Sequence, residues 1–211
     1  AHLNTREIDA KDDSGLIPIE KMKLIKGERL NLKITYPEDF NYFKLFIKPI
    51  QKSGIGYDIH QIDTKSKKGL KLCGVKINFN KLIGHSDADV GLHAICDSIF
   101  GALSMKDIGY YFSNKDPRWK NKNSEFFLKF ARDKLKENNF YIANLDVNFI
   151  CEKPNINKYR KKMISKLALL LKIPEEIISI KATSNEKIGF IGDGLGIAAE
   201  SIIQITNEKL Y

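Results

Sequence analysis

Apolar residues along this chain recur at two spacings, and the switches between them mark the elements. Residues 70–79, LKLCGVKINF, alternate apolar and polar side chains and predict a half-buried strand. Residues 44–60, KLFIKPIQKSGIGYDIH, predict a strand ending in a glycine turn and then a second extended piece. Ser86 followed by Asp89 has capping-box spacing ahead of an apolar run, so a helix is expected from about 87 to Leu103. Ser124 opens another helix, with Phe127, Phe130, Ala131 and Leu135 at helical spacing. YIANLDVNFIC (141–151) is β-like, and a lysine-rich helix over 156–172 stops before Pro174. A strand at 177–183, a glycine-rich loop at 189–196 and a last strand at 197–206 complete the pattern. Strands alternating with helices predict an α/β (α+β) fold, a single mixed sheet covered by helices on one side.

Residues 1–50 break from this order. They mix charge-dense segments such as REIDAKDDSG (6–15) with the aromatic stretch DFNYFKLF (39–46) and hold no sustained period. We read 1–50 as an N-terminal extension, partly ordered at best, and 51–211 as the folded domain. No internal repeat is visible. The chain begins at Ala1 without an initiator Met, so a removed upstream segment is expected, its targeting content unreadable.

Composition sharpens the picture only in places. Hydrophobic residues make up 43% and charged residues 29%, the profile of a globular protein. No run nears the roughly 18 apolar residues of a membrane span, which argues against a membrane partner. Cys73, Cys96 and Cys151 have no CxxC spacing and read as small buried hydrophobes in a reducing compartment. The net charge of +9 would suit an anionic partner, but the lysines are scattered as on a solvated surface. A nucleic-acid module would show clustered arginines and interleaved aromatics; the motifs here are acid- and histidine-rich instead.

The candidate chemistry starts with Asp58 and His60. Two apart on an extended segment, they project from one face, within reach of one ion. The expected helix puts Asp89, His93 and Asp97 on one stripe. His93 is the best third ligand, and Asp97, one turn on, is placed to hold its other ring nitrogen. One carboxylate and two imidazoles leave a coordination position open, as in a working zinc site. The same spacing equally fits a hydrogen-bonded core histidine at 93. Farther on, Thr183, Ser184 and Glu186 end a strand with two hydroxyls and a carboxylate. Such a cluster can grip phosphate oxygens and a hard divalent ion, although these are also ordinary turn residues. The loop GFIGDGLG offers glycines for close approach to phosphate, or a plain turn.

Five segments occur in order with short gaps: GIGYDIH, GHSDADVGLHAICDSIFGAL, DIGYYFSNKDPRWK, NLDVNFICEKPNI and KATSNEKIGFIGDGLGIAAE. Together they resemble the 2-C-methyl-D-erythritol 2,4-cyclodiphosphate synthases of the non-mevalonate isoprenoid pathway, over roughly residues 52–206. The resemblance implies that zinc is held by Asp58, His60 and His93. It implies that His85, expected to stabilise the transition state, and Ser86 contact the reacting phosphate. Asp107, Ile108 and Gly109 would hold the methylerythritol hydroxyls, with Phe112, Ser113, Asn114, Lys115 and Asp116 continuing that wall. Cys151, Glu152, Lys153, Pro154, Asn155, Ile156 and Asn157 match the segment that cradles cytosine. Thr183, Ser184, Asn185 and Glu186 match the diphosphate grip, with Ser184, catalytic like His85, where the family usually has Thr and Glu186 contacting magnesium or manganese.

The implied reaction closes 4-diphosphocytidyl-2-C-methyl-D-erythritol 2-phosphate into the cyclic diphosphate and expels CMP. The implied assembly is a homotrimer around a central cavity, each site shared by neighbouring subunits, with Phe190 lining the cavity. Asp193 and Leu195 stand where relatives often carry Arg and Glu, which argues against an isoprenoid diphosphate in that cavity. The extension, with the lysine- and asparagine-rich composition, suggests a plastid-type (apicoplast) organelle protein, or a cytoplasmic one if bacterial. The rival reading of the same ligands is a zinc-dependent nucleotide phosphoesterase.

Overall fold

The computed structural model of the protein describes residues 17–23, 25–28, 31–44, 48–66 and 68–211. The charge-dense stretch 6–15 and residues 45–46 of the aromatic stretch lie outside them. The chain divides into two units, residues 1–48 and 49–211. In the first, helix α1 spans Pro37–Lys44, and Asp39 Oδ2 accepts hydrogen bonds from the Thr35 and Tyr36 amides before it, each at 2.9 Å.

The second unit runs β1 (Gln51–Gln61), β2 (Leu70–Leu72), β3 (Val75–Ile77), α2 (Val90–Ala102), α3 (Ile108–Tyr111), α4 (Glu125–Glu137), β4 (Tyr141–Ile150), α5 (Arg160–Leu171), β5 (Ile178–Thr183), α6 (Gly189–Gly192) and β6 (Gly196–Thr206). Four strands form one mixed sheet in the order β1-β6-β4-β5; β4 and β5 are parallel and the other pairs antiparallel. Helices cover one face. Val147 and Phe149 of β4 and Ile197, Ile203 and Ile205 of β6 point beneath them, each at most 1% exposed. The opposite face leaves Ile55, Tyr57 and Ile202 half or more exposed, with Ile55 directly across from Ile202. Among the described residues, no helix is long and apolar enough to cross a membrane.

Three local expectations change. The glycines of GIGYDIH do not turn the chain, because β1 is continuous from 51 to 61. A Cβ on Gly54 would lie 2.0 Å from the Ser98 carbonyl oxygen, and one on Gly56 1.9 Å from that of Ala94, so both glycines let α2 lie directly on the strand. LKLCGVKINF is a hairpin, not one strand, because Cys73 and Gly74 both take positive φ, 49° and 75°. Helix α2 starts at Val90, and its cap is Asp89, which accepts from the Leu92 amide at 3.1 Å; Ser86 is not the cap. Asp89 is fully buried and also accepts from the Cys73 and Gly74 amides at 2.8 and 2.6 Å, fastening the hairpin to the helix. The lysine-rich helix splits into a tight turn at Ile156–Lys158 and α5, which ends where Lys172 takes a φ of 59°.

Candidate active site

Asp58 and His60 alternate with Tyr57 and Ile59 along β1 and point toward α2, as their spacing requires. His93 lies one turn into α2 and meets them. Its Nδ1 is 2.8 Å from Asp58 Oδ2 and 3.3 Å from His60 Nε2, and the same Asp58 oxygen is 3.0 Å from His60 Nε2. Among the described residues, these three form the cluster of metal-ligating side chains whose ligand atoms all lie within 4.8 Å of one another. Tetrahedral zinc with bonds of about 2.0–2.1 Å separates its ligands by roughly 3.3–3.4 Å. The nitrogen pair already has that spacing, and the carboxylate oxygen is a few tenths of an ångström closer. Two imidazole nitrogens and a carboxylate oxygen aimed at one point are the donor set that a divalent cation takes, so the residues fit the group.

Burial pushes the Asp58 carboxyl up, but hydrogen bonds from His60 and His93 and their charges outweigh it and hold Asp58 at about 2. Burial pushes His93 down, yet the Asp58 bond and the charges of Asp58, Asp89 and Asp87 leave it raised. Asp97 is raised, first by burial and then by the charges of Asp107 and Asp58, against its bond from the Ile108 amide.

Asp97 does not hold His93. Its Oδ1 accepts from the Ile108 amide at 2.7 Å and so ties α2 to α3. The far nitrogen of His93, Nε2, faces two hydroxyls instead: Ser124 Oγ at 2.8 Å and Ser86 Oγ at 3.2 Å. The serine at 124 was legible as a helix start and nothing more; no spacing rule links it to position 93, since it arrives from another helix.

Some of the remaining candidates lie beside this centre. His85 Nε2 donates to the Asp116 carbonyl at 3.2 Å, which joins the HSD segment to the 112–116 wall. Asp107 caps α3 through the Tyr110 amide at 2.8 Å and, with Asp97, Lys106 and Tyr57, borders a cavity of about 230 Å³. Phe112 does not face open space; its ring packs on Phe127, Phe130 and Trp119 at 4.5–5.2 Å between centroids. Phe190 borders a second cavity, of about 340 Å³, together with His60 and Leu195. A larger cavity, about 580 Å³, lies far from these groups, around Phe140, Leu171 and Tyr211, and contains no histidine.

The loop carrying Thr183, Ser184 and Glu186 is exposed and pre-bent: Glu186 and Lys187 both have positive φ, and the Ser184 hydroxyl donates to the Glu186 carboxylate. Glu152 reaches across to accept from the Asn185 amide at 2.9 Å, stitching the 151–157 segment to this loop. The Cys151 thiol is pushed up to about 11 by burial and by the Glu152 charge, as suits a packing residue and not a nucleophile. Ile59, Ala198, Ile150 and Thr183 lie in one row across the sheet. The imidazole–carboxylate centre and the hydroxyl loop therefore share one end of the sheet but occupy opposite edges, three strand spacings or roughly 14 Å apart.

Residues 51–206 match a family model described as the YgbB family. A curated relative from Ehrlichia canis, named 2-C-methyl-D-erythritol 2,4-cyclodiphosphate synthase, is 44% identical over 74% of this chain and 93% of its own length. A bifunctional enzyme IspD/IspF from Wolbachia pipientis is 43% identical over 93% of this chain and 51% of its own length. The chain thus spans about half the length of the bifunctional relatives it matches. Among solved structures, IspF from Plasmodium falciparum in a CDP complex is 39% identical, with a TM-score of 0.67, over 75% of this chain and 97% of that one. The bifunctional IspDF of Campylobacter jejuni is 33% identical, with a TM-score of 0.72, over 95% of this chain and 55% of that one. The matches to bifunctional proteins cover more than residues 51–211 alone supply, so they reach into residues 1–50. The curated relatives just named are bacterial, and nothing in them supports the plastid reading drawn from composition.

Proposed function

The chain belongs to the YgbB family, and from that premise we propose that it converts 4-diphosphocytidyl-2-C-methyl-D-erythritol 2-phosphate to 2-C-methyl-D-erythritol 2,4-cyclodiphosphate and CMP. The observation that carries the reading is the convergence of Asp58, His60 and His93 within hydrogen-bond distance of one another at the sheet end that also carries the hydroxyl loop.

Ring closure forces two phosphates together, so their mutual repulsion has to be neutralised. A zinc ion held by Asp58, His60 and His93, with magnesium or manganese at Glu186, would supply that positive charge. The nucleophile is an oxygen of the 2-phosphate, already anionic, and it attacks the β-phosphorus while CMP departs. No general base is needed, because the attacking oxygen already carries its charge. His85 and Ser86 donate to the attacking phosphate, and Thr183 and Ser184 hold the diphosphate. Asp107, Ile108 and Gly109 hold the sugar hydroxyls, and the main chain of 151–157 holds the cytosine.

Roughly 14 Å between the two half-sites of one chain is far too long for a single diphosphate to bridge. That distance supports the arrangement the family resemblance implies, a homotrimer in which each working site takes its imidazole side from one subunit and its hydroxyl side from the next. The bare face of the sheet, with Ile55 opposite Ile202 and Tyr57 beside them, supports packing against other copies. Residues 1–50 are read as sequence shared with the bifunctional relatives and not as an organelle-targeting extension.

Phosphorus NMR of the reaction tests the proposal and separates it from the rival phosphoesterase. A cyclic diphosphate appearing in step with CMP is the expected result; acyclic phosphates from hydrolysis overturn it.

A further inference from the structure

Ser124 occupies the N-cap position of α4 and is fully buried, yet its side chain makes no capping bond. A serine there ordinarily accepts from an amide of the first helical turn. This hydroxyl is committed elsewhere, to His93 Nε2 on one side and Asp87 Oδ1 on the other. Asp87 Oδ1 also accepts from the Ser124 amide at 3.1 Å, and its second oxygen accepts from Lys71 Nζ at 3.0 Å. Four residues from four segments thus form one file: Lys71 on β2, Asp87 in the loop before α2, Ser124 at the start of α4, and His93 on α2.

The direction of each hydrogen in the file is fixed by chemistry. A carboxylate only accepts, so the Ser124 proton points to Asp87. Its oxygen is then left as the acceptor for His93, so Nε2 carries the imidazole proton. Nδ1, which hydrogen-bonds Asp58 at 2.8 Å and lies 3.3 Å from His60, is consequently the nitrogen whose proton a cation replaces, leaving its lone pair as the ligand. Ser86, the more distant hydroxyl at 3.2 Å, need not donate to the ring and keeps its proton for a ligand.

We propose that the Lys71–Asp87–Ser124 file positions His93, locking its tautomer so that Nδ1 presents a lone pair to the divalent cation shared with Asp58 and His60. The inference rests on the metal-site reading above and assigns to three further residues a role in metal affinity that the ligand set does not reveal. Outer partners of metal-bound histidines typically change affinity by about 10- to 100-fold.

The test is zinc affinity of metal-stripped protein, by competition with a chromophoric chelator, combined with nitrogen-15 NMR of the imidazoles in the metal-stripped protein at a pH where they are neutral. Wild type should show His93 protonated at Nε2. Ser124→Ala should bind zinc about 10- to 100-fold more weakly and lose the single Nε2-protonated signature. Ser124→Thr, which keeps the hydroxyl, should restore both. Asp87→Asn, with an amide where the second acceptor was, should weaken binding in the same sense and serves if Ser124→Ala does not fold. Wild-type affinity and an unchanged tautomer in both Ser124→Ala and Asp87→Asn overturn the file while leaving the metal site standing. A wild-type protein that takes up no zinc overturns the site and the file together.

Discussion

Asp58 and His93 face each other at 2.8 Å, and burial alone would discharge both. Their contact reverses that, lowering the acid to about 2 and raising the imidazole. The sign of each contribution follows. A lowered acid stabilises the fold above its ordinary value near 4 and loses that effect as pH falls through about 2. A raised histidine contributes fully below its ordinary value of about 6.5 and loses the effect as pH rises through its folded value. Metal-free protein should therefore owe most to this pair between about pH 4 and 6.5. Urea midpoints of wild type and Asp58→Asn, measured from pH 7.5 to 2, should differ most in that interval and converge below it; a constant gap would contradict the coupling. At this scale the sequence was informative about the candidate ligands and silent about their support. Two periodicities, 2 on a strand and 3.6 on a helix, aim Asp58, His60 and His93 predictably, although spacing alone fitted a hydrogen-bonded core histidine at 93 equally well and the family resemblance was needed to group the three. The partner of His93 was not: along α2 the one-turn neighbour Asp97 looked right, whereas the true partner, Ser124, arrives from a different helix.

Elements position this centre through what they lack. Gly54 and Gly56 remove the side chains that would hold α2 off β1, and the strand and helix then approach closely enough for His93 to meet Asp58 and His60. Gly56→Ala places a Cβ 1.9 Å from the Ala94 carbonyl oxygen, one residue after His93, and backbone cannot swing aside as a flexible side chain does. The expected cost is about 3 kcal/mol or more of stability, at the upper end for overpacking, with zinc affinity falling as α2 shifts. Denaturant unfolding and a zinc titration of the same variant check both; a full-affinity, fully stable variant would show that the contact is not needed. The glycine pair read as a turn from sequence because glycine is ambiguous there: a break in the chain and a close approach leave the same residue type. Strand β1 was thus predicted in two pieces, and hairpin β2–β3 in one, for the same reason at Gly74. The extents of β4, β5 and β6, rich in β-branched residues and bounded by polar turns, were legible almost to the residue.

On the scale of the whole molecule, the row Ile59–Ala198–Ile150–Thr183 sets the two half-sites at opposite edges of one sheet. Distance across a sheet depends on strand order, β1-β6-β4-β5, which no local pattern encodes. The proposed sharing of sites between subunits has a direct consequence for mixtures. His93→Ala and Glu186→Ala should each be nearly inactive alone. Subunits of the two, dissociated and reassembled together in equal amounts, should regain about a quarter of the wild-type rate, because one site in four then draws both halves intact from different subunits. Failure of reassembled mixtures to recover activity would place both halves in one chain. The central claim remains the cation at Asp58, His60 and His93. It is tested most directly by adding zinc stepwise to metal-stripped protein, with magnesium present, while product is followed by phosphorus NMR. Ring closure should be absent without zinc and rise linearly to a plateau at one zinc per chain, with no recovery in Asp58→Asn at the same zinc. Undiminished cyclisation by the metal-stripped protein would contradict it.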